Sequence, residues 1–315
     1  MSSIYIFSPS GAVRNRKAFQ QGISVLKAMG HHVQIDPSAL STYERFAGDD
    51  ATRLLAIERA CESGCDVAMI SRGGYGLTRL LPHLNYSKIK KSIHAGTKFL
   101  GFSDFTAFQM AVFSRTQQIT WSGPSVMDDL SPDEPDDIML ACLDDLLTSQ
   151  IEGAGWSMKK TAMNGFIDHC TPSQAKASVL AKEAVLWGGN LSVLCALMGT
   201  PYFPSVKGGV LFLEDTAEHP YRIERMLSQL LMSGVLKDQK AIVLGQFNRY
   251  ALNAHDKGFN FNKVVSFLRS HLKVPILTDL PFGHVPVKIC IPFGQRVTLT
   301  RELNEFFLLW PHVHA

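Results

Sequence analysis

Short apolar runs alternate with helix-like stretches through the first half of the chain, and this alternation constrains the fold more than any other feature. The run at 66–70 is continuous, as is typical of a strand buried on both faces. Similar strand-like runs occupy 4–7, 32–35 and 98–101. Because strands that alternate with helices form parallel sheets covered on both faces, this half is predicted to be an α/β domain. The functional loops of such sheets lie at the carboxyl ends of the strands.

The second half also alternates strands with helices, but its last part is rich in strands. A packing turn is predicted at Gly188–Asn190, because glycine and asparagine are typical turn residues. At 315 residues, the chain is long enough for two domains. Clear periodicity is lost between about 149 and 175, where a domain boundary is therefore expected. We predict an N-terminal parallel-sheet α/β domain over 1–150, a linker or crossover over 151–175, and a smaller, β-rich α/β domain over 176–315.

Composition and charge exclude several classes of partner. The chain is 46% hydrophobic and 19% charged, as expected for an ordinary globular protein. Its net charge is +3, and no dense Lys/Arg stripe is interleaved with aromatics, so no nucleic-acid partner is predicted. No apolar segment approaches the roughly 18 residues that span a bilayer, and the N-terminus enters a strand-like run without a charged leader region. We therefore expect a cytoplasmic protein with no membrane partner.

Cysteine spacing gives no sign of a metal site or of a disulfide framework. The six cysteines are scattered, with no pair at the CxxC spacing of zinc ligands, and are Cys61, Cys65, Cys142, Cys170, Cys195 and Cys290. Reduced, partly buried thiols are the expectation for such a pattern. The sequence therefore predicts neither a bound metal nor another cofactor.

Ser103 lies where an apolar run stops and a helix-like stretch begins. Such a strand-turn-helix step lifts a hydroxyl out of the sheet and aims helix N–H groups at the atom that it attacks. We interpret Ser103 as a candidate nucleophile. The usual elbow has glycine at the second position after the serine, and Phe105 stands there instead. An ordinary helix N-cap is the alternative reading.

A glycine-rich loop, R-G-G-Y-G from Arg72 to Gly76, follows the apolar run at 66–70. The loop lacks the Lys-Ser/Thr pair of a P-loop and the spacing of the dinucleotide fingerprint. Its glycines either let backbone N–H groups approach a ligand closely or simply allow positive φ angles. Both interpretations stay open at this point.

Three polar residues, Ser103, Glu214 and His284, each follow a short apolar run. A serine hydroxyl is a poor nucleophile until a base accepts its proton. Histidine does this near neutral pH when a carboxylate fixes its tautomer and stabilises the imidazolium. Asp215 and Glu218 compete for the role of the acid, and Glu214 is preferred because it directly follows the strand. The residues thus predict a Ser-acid-His triad.

A set of motifs in one order resembles the LD-carboxypeptidases. The motifs are S-P-S-G from Ser8, E-R-F-A-G from Glu44, R-G-G-Y-G from Arg72, G-F-S-D-F-T from Gly101, S-G-P from Ser122, L-W-G-G-N-L from Leu186, L-E-D-T-A-E-H-P-Y-R-I-E-R-M-L from Leu213 and F-G-H from Phe282. The resemblance covers nearly the full chain, and its weakest part lies between 125 and 180, where no motif is found.

The resemblance implies a serine peptidase with an N-terminal α/β domain, a smaller C-terminal β-rich domain and the site between them. It implies that Ser103 is the nucleophile, that His284 is the base and that Glu214 orients the base. It also implies removal of the terminal D-alanine from the L,D-linked tetrapeptide of murein fragments during cell-wall recycling. Finally, the resemblance implies that the protein needs no metal ion and forms a homodimer.

The oxyanion of an acyl-transfer reaction needs two aimed donors. We expect the backbone N–H of Asp104, directly after the nucleophile, to be the first, and the Gly73–Gly74 loop to supply the second. Arg72 is a candidate for binding the D-alanine carboxylate, because guanidinium groups recognise carboxylates by paired hydrogen bonds. A solvated arginine beside a turn is the alternative for this residue.

Two other functions compete with the carboxypeptidase interpretation. A relative that cleaves peptidyl-nucleotide antibiotics for self-immunity uses similar motifs, and an extra aromatic loop for the nucleobase would be expected in it. No such loop is identified in this chain. A two-domain protein that closes on a sugar-peptide or nucleotide without chemistry is the alternative from another class.

Overall fold

Two β-sheets organise the chain, and the computed structural model describes residues 1–132 and 134–311. The strands are β1 (Ser3–Phe7), β2 (His32–Ile35), β3 (Val67–Ile70), β4 (Lys98–Gly101), β5 (Thr120–Ser122), β6 (Gly153–Ser157), β7 (Val179–Asn190), β8 (Val210–Thr216), β9 (Ala241–Asn248), β10 (Ile276–Leu277), β11 (Ile291–Phe293), β12 (Arg296–Glu302) and β13 (Glu305–Leu309).

Helices cover these sheets. They are α1 (Arg16–Ala28), α2 (Asp50–Glu62), α3 (Leu77–Leu80), α4 (Tyr86–His94), α5 (Thr106–Thr116), α6 (Val126–Asp129), α7 (Asp137–Leu147), α8 (Lys160–His169), α9 (Pro172–Lys176), α10 (Leu191–Ala196), α11 (Pro220–Met232) and α12 (Phe261–His271). In the described part of the chain, none of them combines the length and the apolar character needed to cross a bilayer.

The first sheet has six strands in the order β11-β5-β4-β3-β1-β2. Strands β1 to β5 are parallel, and β3 is buried at every position. The predicted α/β fold class is therefore confirmed. The edge strand β11 comes from the last quarter of the chain and pairs antiparallel with β5. The segment that follows His284 is thus fastened to the sheet that carries Ser103.

The second sheet has seven strands in the order β10-β9-β8-β7-β12-β13-β6. Strands β7 to β10 are parallel, whereas β12, β13 and β6 join by antiparallel pairing. The stretch 151–175, predicted as a linker or crossover, contains β6 and α8. The domain division itself stays a prediction, and residues 312–315 of the predicted C-terminal domain lie outside the described residues.

Two local predictions in the second half are wrong. The Gly188–Asn190 stretch was expected to be a turn, but it continues β7 beside β8. A Cβ atom on Gly188 would lie 1.8 Å from the carbonyl oxygen of Phe212, so only glycine lets the two backbones approach. Strand β8 likewise runs on to Thr216, so Glu214 lies inside the strand and not after its end.

Helix α5 connects the two sheets. Its first eight residues are all buried, so it is covered on every side and shows little amphipathic character. It packs against β5, β7 and α10. The N–H of Asn190 donates to Oγ1 of Thr106 at 3.0 Å, which joins the end of β7 to the start of α5. The helix that begins just after Ser103 is therefore fixed to the second sheet.

Candidate active site

Ser103 occupies a strained turn between β4 and α5. Its φ is 63°, in the left-handed region that non-glycine residues rarely adopt. It begins a 3-10 turn, Ser103–Phe105, that leads into the helix. A Cβ atom on Gly101 would lie 2.8 Å from the ring of Phe105, so glycine two positions before the serine makes room for that ring. The tight turn therefore has a glycine, Gly101, two positions before Ser103 and the bulky Phe105 two positions after it.

The structure brings the three predicted triad residues together. Nε2 of His284 lies 3.2 Å from Oγ of Ser103, and Nδ1 lies 2.9 Å from Oε2 of Glu214. Glu214 is fully buried, whereas the His284 side chain retains 16% exposure. An ionised carboxylate only accepts hydrogen bonds, so Nδ1 carries the proton and Nε2 is left to accept from the serine. This arrangement can activate a serine hydroxyl.

Two residues that the sequence did not single out shape the surroundings of the carboxylate, one by a hydrogen bond and one by leaving space. Nδ2 of Asn190 donates to Oε1 of Glu214 at 3.1 Å and to Oδ1 of Asp215 at 3.0 Å. Gly283 has a φ of 132°, and a Cβ atom there would lie 3.1 Å from Oε2 of Glu214. Glycine at this position therefore lets His284 come alongside the carboxylate. The L-W-G-G-N-L and F-G-H motifs were the available signals for these two residues.

The competing acids do not face the imidazole. Asp215 accepts the backbone N–H groups of Ser192 and Thr216, both at 2.9 Å. Burial, and then the charge of neighbouring Glu214, raise the pKa of Asp215 to about 6. Glu218 pairs with Arg222 on α11 at 2.7 Å. Of the three candidates, the geometry brings Glu214 to His284.

The glycine loop contacts the nucleophile directly. A Cβ atom on Gly73 would lie 2.8 Å from Cβ and 3.0 Å from Oγ of Ser103, so only a glycine fits here. Gly74 and Gly76 have φ angles of 119° and 129°. Positive φ, one of the two interpretations of this loop, therefore holds for Gly74 and Gly76, whereas the approach of backbone N–H groups to a ligand stays a prediction.

Known protein families and solved structures resemble this chain over most of its length. The model of the LD-carboxypeptidase N-terminal domain matches residues 4–123, and that of the C-terminal domain matches 183–299. The crystal structure of muramoyltetrapeptide carboxypeptidase from Oxalobacter formigenes is 37% identical, with a TM-score of 0.84 over 98% of this chain and 99% of that one. The chain belongs to the LD-carboxypeptidase family. It is a serine-type carboxypeptidase.

Other relatives are more distant. A murein tetrapeptide carboxypeptidase of Pseudomonas aeruginosa is 27% identical, with 86% of this chain and 82% of that protein aligned. A probable murein peptide carboxypeptidase of Bacillus subtilis is 26% identical over 90% of this chain and 84% of its own. The microcin C7 self-immunity protein MccF matches with a TM-score of 0.83 at 19% identity, covering 99% of this chain and 97% of that one. The last likeness shows the fold alone.

The side chain of Asp104, and not only its backbone, lies in the site of this LD-carboxypeptidase. Its buried carboxylate accepts from Oγ of Ser10 at 2.7 Å and from the backbone N–H of Leu77 at 3.0 Å. Burial raises the pKa of Asp104, and these hydrogen bonds oppose the shift. The side chain therefore ties the end of the glycine loop to the residue after Ser103. The sequence predicts a role for the backbone N–H of Asp104 but not for its side chain.

Arg72 is buried, and the alternative of a solvated arginine is wrong. Its side chain is 8% exposed, Nη1 donates to the carbonyl oxygen of Ala12 at 3.3 Å, and Asp128 lies 3.8 Å from Nε. Among the described residues, Nε has no hydrogen-bond partner. Burial lowers the pKa of the Arg72 guanidinium; Asp128 opposes this, whereas the nearby Arg14 and Arg45 add to it. Arg72 thus belongs to a group of cations beside the glycine loop.

The triad opens onto a cleft of about 670 Å³. Its walls carry Ser103 and His284 together with charged groups of both signs. The lining residues are Arg14, Arg72, Gly73, Gly74, Phe102, Ser103, Asp128, Asp129, Pro132, Glu134, Asp136, Thr216, Arg249, His284, Val285 and Pro286. A neighbouring cavity of about 340 Å³ shares Arg14, Arg72 and Gly74 with the cleft and adds Arg45. Arginine side chains thus gather where the two cavities meet, beside the glycine loop.

The described residues contain no cluster of histidine, cysteine, aspartate or glutamate side chains that could hold a metal ion. The six cysteines are free thiols. Burial raises the pKa of Cys61 and of Cys195 to about 12, so both thiols stay protonated near neutral pH. Among the described residues that line the cleft there is no cysteine, whereas Ser103 is one of them.

Proposed function

We propose that the protein releases the terminal D-alanine from L,D-linked murein tetrapeptides in cell-wall recycling, through an acyl-enzyme on Ser103. The observation that carries the proposal is the hydrogen-bonded chain from Glu214 through His284 to Ser103 at the wall of the cleft. The names of the relatives from Oxalobacter formigenes and Pseudomonas aeruginosa support the choice of substrate.

The proposed acylation step uses the imidazole twice. Nε2 of His284 accepts the proton of Ser103 while Oγ bonds to the carbonyl carbon of the diaminopimelate residue. As the tetrahedral intermediate collapses, the bond to the D-alanine nitrogen breaks, and the imidazolium gives its proton to the departing amine. Glu214 stabilises the imidazolium during both transfers. Water then hydrolyses the acyl-enzyme with His284 again acting as the base.

The oxyanion is proposed to lie between the start of the 3-10 turn and the glycine loop. The backbone N–H of Asp104 is the first donor, and the Gly73–Gly74 segment provides the second. The close approach of Gly73 to Ser103 Oγ supports this placement. Donors of this kind act on charge that develops in the transition state, and each typically contributes about 10²–10³ in rate.

Arg72 is proposed to bind the carboxylate of the D-alanine. It directly precedes the loop that contacts Ser103, and its buried Nε has no hydrogen-bond partner among the described residues. Arg14 and Arg45 lie near enough to lower the pKa of Arg72, so an anion there would relieve the mutual repulsion of these cations. Recognition of a terminal carboxylate beside the scissile bond would restrict cleavage to the last residue of the peptide.

We further propose that the enzyme acts in the cytoplasm as a homodimer and without a metal ion. The alternative substrate is a peptidyl-nucleotide antibiotic, which the fold shared with MccF supports. The alternative without chemistry is a two-domain ligand-binding protein. These readings differ in what the pure protein does to a defined peptide and to a serine-directed reagent.

The test is incubation of the protein with a defined L,D-tetrapeptide and detection of released D-alanine. We expect turnover by the wild type and a loss of at least about 10⁴-fold in Ser103→Ala, with substrate binding retained. A peptidyl sulfamoyl nucleoside serves as the comparison substrate, and preferred cleavage of that compound would favour the immunity function. Absence of both turnover and covalent labelling of Ser103 by a fluorophosphonate would favour the binding protein.

A further inference from the structure

Lys288 is fully buried beside the candidate base, although lysine is almost never found there without a partner. Its Nζ donates to Oδ1 of Asp129 at 2.5 Å. The same Nζ lies 3.4 Å from the ring centroid of Phe102. That ring in turn lies 5.0 Å, centroid to centroid, from the imidazole of His284. The Lys288 cation therefore contacts one aromatic ring, which in turn contacts the imidazole, with the two rings tilted at 55° to each other.

These contacts join three of the chain segments that line the cleft. Phe102 directly precedes Ser103, Lys288 follows His284 in the same segment, and Asp129 ends α6. The other oxygen of Asp129 accepts the backbone N–H and the hydroxyl of Ser125, at 2.7 and 3.1 Å. The carboxylate is thus held by its own loop, and it offers Lys288 a fixed anchor.

The segment that carries His284 needs such an anchor because it lies between β10 and β11 without regular structure. Its ends are joined where the N–H of Ile289 donates to the carbonyl oxygen of Pro281 at 3.0 Å. Nδ2 of Asn248 donates to the carbonyl oxygen of His284 at 2.8 Å. Neither contact fixes the rotation of the imidazole, which is left to the hydrogen bond between Nδ1 and Glu214 and to the ring of Phe102.

A buried ion pair is a weak source of stability, because the cost of removing both charges from water offsets their attraction. It does constrain the positions of both side chains strongly, since they must stay within hydrogen-bonding distance of each other. We infer that the Lys288–Asp129 pair, acting through the ring of Phe102, is a positioning device that holds the His284 imidazole in line with Ser103. The inference rests on the proposed Ser103–His284 chemistry but not on the proposed substrate.

The ion pair also allows a test based on charge, because the net charge of the two side chains is zero only while both are present. In Lys288→Met the buried Asp129 is left as an unpaired anion near the base, which favours the protonated imidazole. In Asp129→Asn the unpaired Lys288 cation disfavours it. The other charged groups around His284 are the same in every variant; they are Glu214, Asp215, Arg14, Arg72, Asp128, Glu134, Asp136 and Arg249.

The readout is the rate at which a fluorophosphonate labels Ser103, measured as a function of pH on folded protein. This rate depends on Ser103 and His284 and needs no murein peptide, so a failure of the proposed substrate leaves the test intact. We expect both single variants to label about 10- to 100-fold more slowly, because a small misplacement of the base is costly. The acidic midpoint should move upward in Lys288→Met and downward in Asp129→Asn, each by about half a pH unit or more.

The double variant Lys288→Met/Asp129→Asn removes both charges and should bring the midpoint back to that of the wild type while labelling stays slow. Lys288→Arg, which keeps the charge, should recover part of the rate. Arg59→Met breaks another ion pair with a buried carboxylate, Arg59 with Asp36 at 2.7 Å, away from the cleft, and should leave the labelling profile unchanged. Movement of both single-variant midpoints in the same direction, or labelling at wild-type rates in all variants, would overturn the inference.

Discussion

The two sheets place their candidate catalytic residues in different ways. In the first sheet, Ser103 follows β4 in a strained turn, and the glycine and the bulky ring that shape this turn, Gly101 and Phe105, lie within two residues of it. In the second sheet, Glu214 lies inside β8, and His284 lies on an irregular segment that returns to the first sheet. The turn that carries the candidate nucleophile is thus shaped by residues close to it in sequence, whereas the acid and base are positioned by contacts between distant parts of the chain.

This difference teaches where the site is sensitive. Ser103 depends on Gly73 of the neighbouring loop, where an added Cβ atom would lie 2.8 Å from Cβ of Ser103. Glu214 and His284 depend on polar partners, Asn190 above all, whose hydrogen bonds span two strands. Activity should therefore be lost when a side chain fills the space beside Ser103 at the first sheet. At the second sheet, activity should be lost when a charge or a hydrogen bond is removed.

The largest effect is expected from Glu214→Gln. The glutamine keeps the shape of the side chain, but its amide can donate to Nδ1 and so favour the wrong tautomer of His284. We expect kcat for D-alanine release to fall by about 10⁴-fold with little change in KM. Glu218→Gln is the matched control, because Glu218 pairs with Arg222 and does not face the imidazole. A loss below tenfold in Glu214→Gln would remove Glu214 from the mechanism.

The next effect concerns space at the first sheet. In Gly73→Ala the added methyl would lie 2.8 Å from Cβ of Ser103, and the rigid turn cannot yield. We expect kcat/KM to fall by about 10²–10³-fold, as for the loss of one oxyanion donor. Gly165→Ala on α8 is the control, since its methyl would meet only the flexible end of Arg269. Equal activities of the two variants would separate Gly73 from the oxyanion site.

The sequence predicted the parts of the fold that have local signals. Alternating strands and helices indicated the parallel sheet, and polar residues near the ends of apolar runs indicated Ser103, Glu214 and His284. The continuation of β7 through Gly188 was missed because glycine has low strand propensity. What keeps that stretch in the sheet is close approach to the backbone of Phe212, which no local pattern reports.

The supporting residues were harder to predict for a related reason. Asn190 was interpreted as part of a turn, because an asparagine after two glycines is typical of turns. Lysine is expected at the surface, so nothing around Lys288 in the sequence marked it as buried. Strand β6 is glycine-rich, and Gly153 and Gly155 leave room for β13 without producing an alternating apolar pattern. In each case the partner lies far away along the chain.

The smallest effect is a pH dependence that differs between the sheets. Because burial and Glu214 raise the pKa of Asp215 to about 6, the folded state holds this proton more tightly than the unfolded state. Stability should therefore fall as pH rises from about 4 to about 6, by up to ~3 kcal/mol, and stay lower above that range. In the first sheet, the N–H of Ser3 lowers the pKa of Asp66, so its contribution has the opposite sign and is lost as pH falls.

Urea denaturation of the wild type, Asp215→Asn and Asp66→Asn between pH 3 and pH 7 checks this contrast. The free energy of unfolding of Asp215→Asn, relative to the wild type, should rise between about pH 4 and pH 6, because the variant has no proton to lose there. Relative to the wild type, Asp66→Asn should become less stable as pH rises through the titration of Asp66. A flat difference for Asp215→Asn would mean that the carboxylate beside Glu214 is already ionised at pH 4, and that Asn190 compensates both charges of the second sheet.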